Sequence, residues 1–315
     1  MKFSVVIPVY KNEDSIPRLL QAVTAMAREL GGMLEVVFVV DGSPDRSFVL
    51  LRDALAGLGF PAQLLAHSRN FGSFPAIRTG LAVARGDYFG VMAADLQEPP
   101  ELMVAFFRAL QADECDVAIG TRTRRSDSWS SRMASGLFWA LYRRLVVPDM
   151  PEGGVDVFGC NRVFRDHLLR LQESRSSLIA LIFWLGFRRK LVGYERLERQ
   201  EGVSSWTFRK KVDYMLDSVF AFTDYPIRML TRIGFLGCVL SVILSVVILV
   251  GHITGRIVVP GYAPTMLVVL FFGAVNLLGL GLVGTYAWRT YENGKHRPLS
   301  VVALAITNEK DADAQ

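Results

Sequence analysis

The sequence predicts an α/β chain: a Rossmann-like, mostly parallel sheet wrapped by helices, then amphipathic helices and a two-helix apolar hairpin. Three observations carry this. Short β-branched runs alternate with helical stripes through the first two thirds of the chain. Two apolar runs break off into acidic turns at Asp41 and Asp95, and two long stretches near the C-terminus carry no charged side chain.

In chain order, Phe3 to Val9 is a β-branched run that reads as a first strand. Lys2 and a handful of apolar residues before Pro8 are too short for a signal-peptide core. From Ser15 to Leu30, the residues Ile16, Leu19, Leu20, Val23, Met26, Ala27 and Leu30 share one helical stripe, and Asp14 or Ser15 with Pro17 marks its start. Glu35 to Val40 is a second strand running into the turn Asp41-Gly42-Ser43-Pro44-Asp45, and Gln63 to His67 is a short third. Helical stretches are expected near Ser47 to Leu58, Phe74 to Ala84 and Pro100 to Leu110, with strands at Tyr88 to Ala94 and Asp116 to Gly120. Strands separated by helices place ligands at the strands' C-terminal ends, where Asp41 and Asp95 both fall. Either aspartate alone is ordinarily a turn former; two at one crevice can act together.

The first strand-to-helix turn, Pro8-Val9-Tyr10-Lys11-Asn12-Glu13-Asp14, has no glycine, so the phosphate cradle of a dinucleotide or P-loop site is absent. The segment Asp95-Leu96-Gln97-Glu98-Pro99-Pro100-Glu101 offers a carboxylate and a carboxamide two residues apart, fixed by a diproline. That pair suits Mg²⁺ or Mn²⁺ on a phosphorylated substrate. Arg122, Arg124 and Arg125 follow a strand and precede an amphipathic stretch from Trp129 to Leu145, with Met133, Leu137, Phe138, Leu141 and Leu145 on one face. Arginine binds phosphate bidentately, so the trio can receive an anionic lipid headgroup; a solvated basic loop beside a core helix is the alternative.

Mean hydropathy is +0.30, high for a chain with dense charge in its first two thirds, so the excess is local. Ile233 to Gly251 and Ile257 to Trp288 carry no charged residue. About 20 such residues span a hydrocarbon core of about 30 Å. Only His252 and Arg256 lie in the connection, whereas Arg228 and Arg232 precede the hairpin and Arg289, Lys295, His296 and Arg297 follow it, which puts both termini in the cytoplasm. A second amphipathic region, Trp206 to Arg228, combines Arg209, Lys210 and Lys211 with Phe208, Met215, Leu216, Val219, Phe220 and Phe222. It reads as a helix at the membrane surface or as a linker packed on the enzyme. The expected organisation is a cytoplasmic domain over 1–205, a juxtamembrane region over 206–230, transmembrane helices at about 233–251 and 265–287 within 231–289, and a cytoplasmic tail over 290–315.

The net charge of +5 comes with basic clusters that face anionic lipid more economically than nucleic acid. Cys115, Cys160 and Cys238 lack C-x-x-C spacing, which argues against a disulfide framework or zinc site, and His67, His167, His252 and His296 show no ligand spacing. Gly234, Gly237, Gly273, Gly279, Gly281 and Gly284 permit close helix packing within or between protomers.

Taken in order, Val6-Ile7-Pro8-Val9-Tyr10 with Asn12-Glu13, Asp41-Gly42-Ser43, Ser68-Arg69-Asn70-Phe71-Gly72, Asp95-Leu96-Gln97 with Pro99-Pro100-Glu101, Gly120-Thr121-Arg122, Gly154-Val155-Asp156, and Glu198-Arg199 with Gly202-Val203-Ser204 form one pattern. The chain resembles the family 2 glycosyltransferases, and more narrowly the polyisoprenyl-phosphate glycosyltransferases, which include dolichol-phosphate mannose synthases and bacterial undecaprenyl-phosphate glucosyltransferases. The resemblance implies a GT-A fold and metal-dependent, inverting transfer from a UDP- or GDP-sugar to a polyprenyl phosphate. It places the reaction at the cytoplasmic face of a bacterial inner membrane, for cell-envelope glycan or O-antigen modification, in a homo-oligomer such as a tetramer. Residue by residue, it implies that Pro8, Tyr10, Glu13 and Asp41 line the nucleoside pocket and that Asp95 and Gln97 bind metal and diphosphate. Asp156, Arg122 and Arg199 become the catalytic set, and Arg122, Arg124, Arg125 and Ser204 the acceptor-phosphate and membrane set. The chain departs from the pattern at Val40, Ala93 and Ser205, where an aspartate, a second aspartate and a lysine are usual. Transfer to a sugar hydroxyl of a lipid-linked glycan, with Asp156 as base, and a catalytically weak membrane scaffold are the competing readings.

Overall fold

The β-branched runs assemble into a parallel core. In the computed structural model, which describes residues 2–124, 140, 142–144, 146–151, 155–173, 176–197, 208–254 and 261–308, β1 (Phe3–Val9) lies between β2 (Leu34–Val40) and β4 (Tyr88–Val91), and β3 (Ala62–His67) follows β2. All three pairings are parallel, in the registers Phe3 with Leu34, Phe3 with Tyr88, and Val36 with Ala62. Every residue of β2 is buried, which is why it reads as an unbroken apolar run rather than an alternating one: helices cover both faces.

On one face, α1 (Ile16–Glu29), α2 (Ser47–Leu55) and α4 (Pro100–Gln111) bury Leu19, Val23, Leu51, Met103 and Phe107 against Val5, Ile7, Val36 and Phe38. On the other, α3 (Ser73–Val83) presses on β1 and β2 through Gly80, where a Cβ would stand 2.3 Å from Val6 Cγ1. That approach requires glycine.

The flanks of the sheet are mixed. β5 (Val117–Arg124) and β6 (Val155–Asn161) pair antiparallel, β6 runs antiparallel to β4, and β7 (Arg189–Glu195) runs parallel to β5. The helices α5 (Arg162–Arg170) and α6 (Leu178–Trp184) lie between β6 and β7 in sequence. The full order is β7-β5-β6-β4-β1-β2-β3-β8, with β8 (Val302–Thr307) antiparallel on β3.

Three expectations change here. The strand expected over Asp116 to Gly120 continues to Arg124, because β6 and β7 hold β5 from both sides; Arg122 and Arg124 therefore sit in a strand, not after it. The strand expected to reach Ala94 stops at Val91. Residues 302–307 of the expected tail form β8, because the open edge of β3 has unpaired backbone groups that an uncharged strand can satisfy. Asn308 locks the end: its Oδ1 accepts from Ala62 N–H at 2.8 Å and its Nδ2 donates to Phe60 O at 2.9 Å. The helix expected from Trp129 to Leu145 falls largely outside the described residues.

The chain divides into two compact units, Met1–Val212 with Pro298–Gln315, and Asp213–Arg297. The second holds α8 (Tyr225–Ile253), α9 (Tyr262–Gly294) and the end of α7 (Phe208–Phe222). The helices α8 and α9 contain the two expected spans and expose Phe235, Leu236, Leu277 and Leu278 widely. Tyr225–Leu244 and Phe271–Gly294 are long and apolar enough to cross a membrane. Arg289 pairs with Asp217 at 2.5 Å and lies over the Phe220 ring, which fastens α7 to α9. In the first unit, Cys115 and Cys160 are buried free thiols, and burial raises both above the usual thiol range.

Candidate active site

The C-terminal ends of β1, β2, β4, β5 and β7, with the start of β6, come out at one edge of the sheet. At the end of β2, Asp41 is only 2% exposed. Its Oδ1 accepts from His67 Nδ1 at 2.8 Å and from Phe71 N–H at 2.9 Å, and its Oδ2 from Gly72 N–H at 2.7 Å. With the carboxylate as acceptor, His67 donates from Nδ1; its Nε2 lies 3.0 Å from Thr79 Oγ1, and Thr79 in turn meets Ser300 Oγ at 2.7 Å. Gly42 has φ +58, and a Cβ there would lie 2.3 Å from the Arg69 carbonyl carbon. The Asp41 carboxylate, expected in the nucleoside pocket, thus also holds the Ser68-Arg69-Asn70-Phe71-Gly72 loop against the turn.

The turn after β1 is knitted to the turn after β2. Lys11 N–H donates to Ser43 Oγ at 2.8 Å, Glu13 N–H to Asp45 Oδ2 at 3.1 Å, and Arg46 N–H to Glu13 Oε2 at 2.9 Å. Asp45 also accepts from the Ser43 hydroxyl at 2.6 Å and the Ser47 hydroxyl at 2.9 Å. Burial pushes its carboxyl up, but hydrogen bonds from Ser43, Ser47 and Glu13 outweigh that and hold it below its ordinary value. The sequence reading took Asp45 only as a turn residue; its spacing of two from both Ser43 and Ser47 was the available signal. Of the nucleoside set, Glu13 is thus a brace, Pro8 is half-buried, and Tyr10 presents an exposed ring with Lys11 Nζ 5.6 Å from its centroid.

After β4 the chain reverses at Leu96, whose φ is +54, and Gln97 N–H points to Asp95 Oδ1 at 3.4 Å. Pro99 is extended, with φ −64 and ψ 136, and Pro100 opens α4. Asp95 is half-buried and Gln97 buried. The Gln97 carboxamide oxygen accepts from the Arg196 guanidinium, and its backbone carbonyl accepts from Leu197 N–H at 2.9 Å. An amide oxygen has two lone pairs, so the Arg196 contact occupies one acceptor position of the group expected to bind metal. Among the described residues no three His, Cys, Asp or Glu side chains gather as a metal cluster. What fits is a divalent cation held by Asp95 and phosphate oxygens, a ligand set Mg²⁺ commonly accepts.

On the other side, Arg122 pairs in register with Tyr194 and Arg124 with Glu195, while Val155 opposes Thr121. The backbone of Asp156 therefore sits beside the end of β5. Arg125, Arg199 and Ser204 lie outside the described residues. Arg196, which the sequence reading passed over, is a basic residue brought to the Asp95-Leu96-Gln97 segment.

At the opposite end of the sheet the polar groups are structural. Glu35, fully buried, accepts from the Ser4 hydroxyl at 2.7 Å, Gln63 Nε2 at 2.8 Å and Arg85 Nε at 2.9 Å.

A family model described as Glycosyl transferase family 2 matches residues 4–171. A Bacillus subtilis (strain 168) protein named as a glycosyltransferase, CsbB, is 32% identical over 308 residues, covering 98% of this chain and 93% of that one. The bactoprenol glucosyl transferase of Shigella phage SfV is 30% identical over 311 residues, 98% of this chain and 99% of its own. Among solved structures, the mannosyltransferase PcManGT from Pyrobaculum calidifontis, in complex with GDP-Man and Mn²⁺, aligns with TM-score 0.48 and 17% identity over 72% of this chain and 64% of that one.

Proposed function

Because the chain belongs to glycosyltransferase family 2, we propose that it moves a sugar from a UDP- or GDP-sugar to a polyprenyl phosphate such as undecaprenyl phosphate. The reaction runs at the cytoplasmic face of a bacterial inner membrane and supplies a lipid-linked sugar for cell-envelope glycan or O-antigen modification. One observation carries the reading: the Asp95 carboxylate and the arginines of β5 come out at one sheet edge, in a chain that also has two helices apolar enough to cross a membrane. The full-length likeness to a bactoprenol glucosyl transferase supports it. The soluble domain is 1–205, extended by β8; 206–230 lies at the membrane surface; both termini are cytoplasmic; and the protein works as a homo-oligomer, a tetramer by the resemblance.

In this reaction an oxygen of the lipid phosphate attacks the anomeric carbon. As that bond forms, the bond from the anomeric carbon to the diphosphate breaks and its electron pair leaves on the nucleoside diphosphate, which inverts the anomeric centre. The attacking oxygen is already anionic at neutral pH, so no proton has to be removed and positioning with charge neutralisation carries most of the rate. Pro8, Tyr10, Glu13 and Asp41 line the nucleoside pocket, and Glu13 and Asp41 also brace the loops around it. Asp95 and Gln97 would hold a divalent cation, Mg²⁺ or Mn²⁺, which would neutralise diphosphate charge. Arg122 and Arg199, with Arg124, Arg125 and Ser204, receive the acceptor phosphate. Asp156 orients the acceptor and stabilises positive charge at the anomeric carbon.

The test is incubation of the purified full-length protein with undecaprenyl phosphate, Mg²⁺ or Mn²⁺ and a panel of UDP- and GDP-sugars, following released nucleoside diphosphate and lipid-linked product. Product with one donor, lost in Asp95→Ala and Asp156→Ala, supports the reading. No turnover by folded protein with any donor overturns it in favour of a hydroxyl acceptor or a scaffold.

A further inference from the structure

We propose that Arg196 is a second diphosphate-binding group, set beside Asp95 by Gln97. The inference rests on the donor reading above and adds to it a residue that no motif of the sequence singles out. Asp95 is the only carboxylate in the Ala93-Ala94-Asp95 stretch, so a cation held there has one protein carboxylate from this segment and the donor's own oxygens. The glycine-free turn after β1 adds no backbone cradle for phosphate. The charge that these two features leave unmatched needs a protein cation close to Asp95.

Arg196 meets that need by position. It follows β7, whose last residues pair with Arg122 and Arg124 at the end of β5, and it reaches across to the segment after β4. Two bonds hold it: its guanidinium donates to Gln97 Oε1, and the next residue, Leu197, donates its N–H to the Gln97 carbonyl at 2.9 Å. Gln97 is itself buried and tied by its N–H to Asp95 Oδ1. Asp95, Gln97 and Arg196 are thus one connected group, anion and cation on either side of a neutral amide. A carboxamide anchor orients a guanidinium without neutralising it. A carboxylate at position 97 would form an ion pair and lower the positive potential offered to an anion. The buried Nε of Arg196 makes no hydrogen bond among the described residues, so the Gln97 contact leaves donor capacity on this planar fork. Diphosphate is the ligand that this chemistry recognises, and the leaving group gains a negative charge as its bond to the sugar breaks, when a fixed guanidinium acts most strongly.

The experiment compares nucleoside diphosphate with nucleoside. Full-length protein, Arg196→Gln and Arg196→Lys are titrated with UDP and GDP, and with uridine and guanosine, by calorimetry, each with Mg²⁺ and with EDTA. For the nucleotide that binds, Arg196→Gln is expected to weaken diphosphate affinity by about 10- to 100-fold, the worth of a charge-assisted hydrogen bond to phosphate. Nucleoside affinity is expected to change less than about twofold, and Arg196→Lys to recover part of the loss. In EDTA the wild-type protein retains measurable diphosphate binding and the Gln variant does not. A merely structural tether would lower the melting temperature and weaken nucleoside and diphosphate alike; that result, or an unchanged ratio of the two affinities, overturns the proposal while leaving the donor reading intact. If Arg196→Gln does not fold, the Lys variant decides by the same ratio, expected to shift about 3- to 10-fold. Wild-type protein that binds neither UDP nor GDP overturns the donor reading and this inference together.

Discussion

Replacing Asp41 by asparagine separates its two assigned roles. The carboxylate receives three hydrogen bonds, from His67 Nδ1, Phe71 N–H and Gly72 N–H, at a residue that is 2% exposed. Hydrogen bonds to a charged group contribute about 1.5–3 kcal/mol each, and a buried donor left unmatched costs about 1–3 kcal/mol. Asparagine keeps one acceptor oxygen and turns an NH₂ toward a donor. Phe71 and Gly72 are only half-buried, so water replaces part of what they lose. The expected cost is about 2 kcal/mol for Asp41→Asn and about 3–5 kcal/mol for Asp41→Ala. At about 2–4 °C per kcal/mol for a unit of this size, the asparagine variant should melt about 4–8 °C lower. The assay is thermal unfolding of the full-length protein in detergent, with hydrogen exchange at the Phe71 and Gly72 amides, which should lose protection. A melting temperature within about 1 °C of wild type, with unchanged protection and lost nucleotide binding, would refute the loop-anchor role and leave Asp41 its nucleoside-pocket role alone.

Gly80→Ala places a methyl 2.3 Å from Val6 Cγ1; overpacking of about 1–3 kcal/mol should exceed the helix-propensity gain of about 1 kcal/mol, seen as a lowered melting temperature. Asp45 and Asp116 have carboxyls held below their ordinary 3.8 and Glu35 below its ordinary 4.5, for Asp116 chiefly by the Arg188 side chain and for the other two by hydrogen bonds that outweigh burial. A depressed folded-state pKa gives stability present above the unfolded value and lost on acidification, so the melting temperature should be flat above about pH 5 and fall below about pH 4; a fall beginning near pH 6 would assign it to other groups. Removing residues 302–315 strips β8 from β3, and the exposed parallel-sheet edge should make the truncated protein self-associate in scattering measurements, whereas Asn308→Ala should only lower the melting temperature, by about 1–3 kcal/mol of stability.

The parallel core was legible because its signals are local. The run Phe3–Val9 and the stripe Ile16, Leu19, Val23, Met26 state strand and helix within a dozen residues, and a continuous apolar run such as Leu34–Val40 declares burial on both faces. The apolar hairpin was legible for the same reason, since length and lack of charge are properties of one segment. Asp95 was visible as an acidic stop after a strand. Partners far along the chain were not. β8 pairs with a strand more than two hundred residues earlier, and nothing in its own six residues names β3 as that edge. Asp41 showed in the sequence as a carboxylate after a strand, but not as the acceptor for His67 and for the backbone of the following loop. Gln97 likewise showed as a carboxamide beside Asp95, but not as the partner of Arg196, 99 positions away. Composition and periodicity thus determined the strands and helices of the parallel core and the apolar spans. Tertiary structure alone decided which polar atoms are left facing the site, because hydrogen-bond partners are chosen by the folded surface and not by neighbours in the chain.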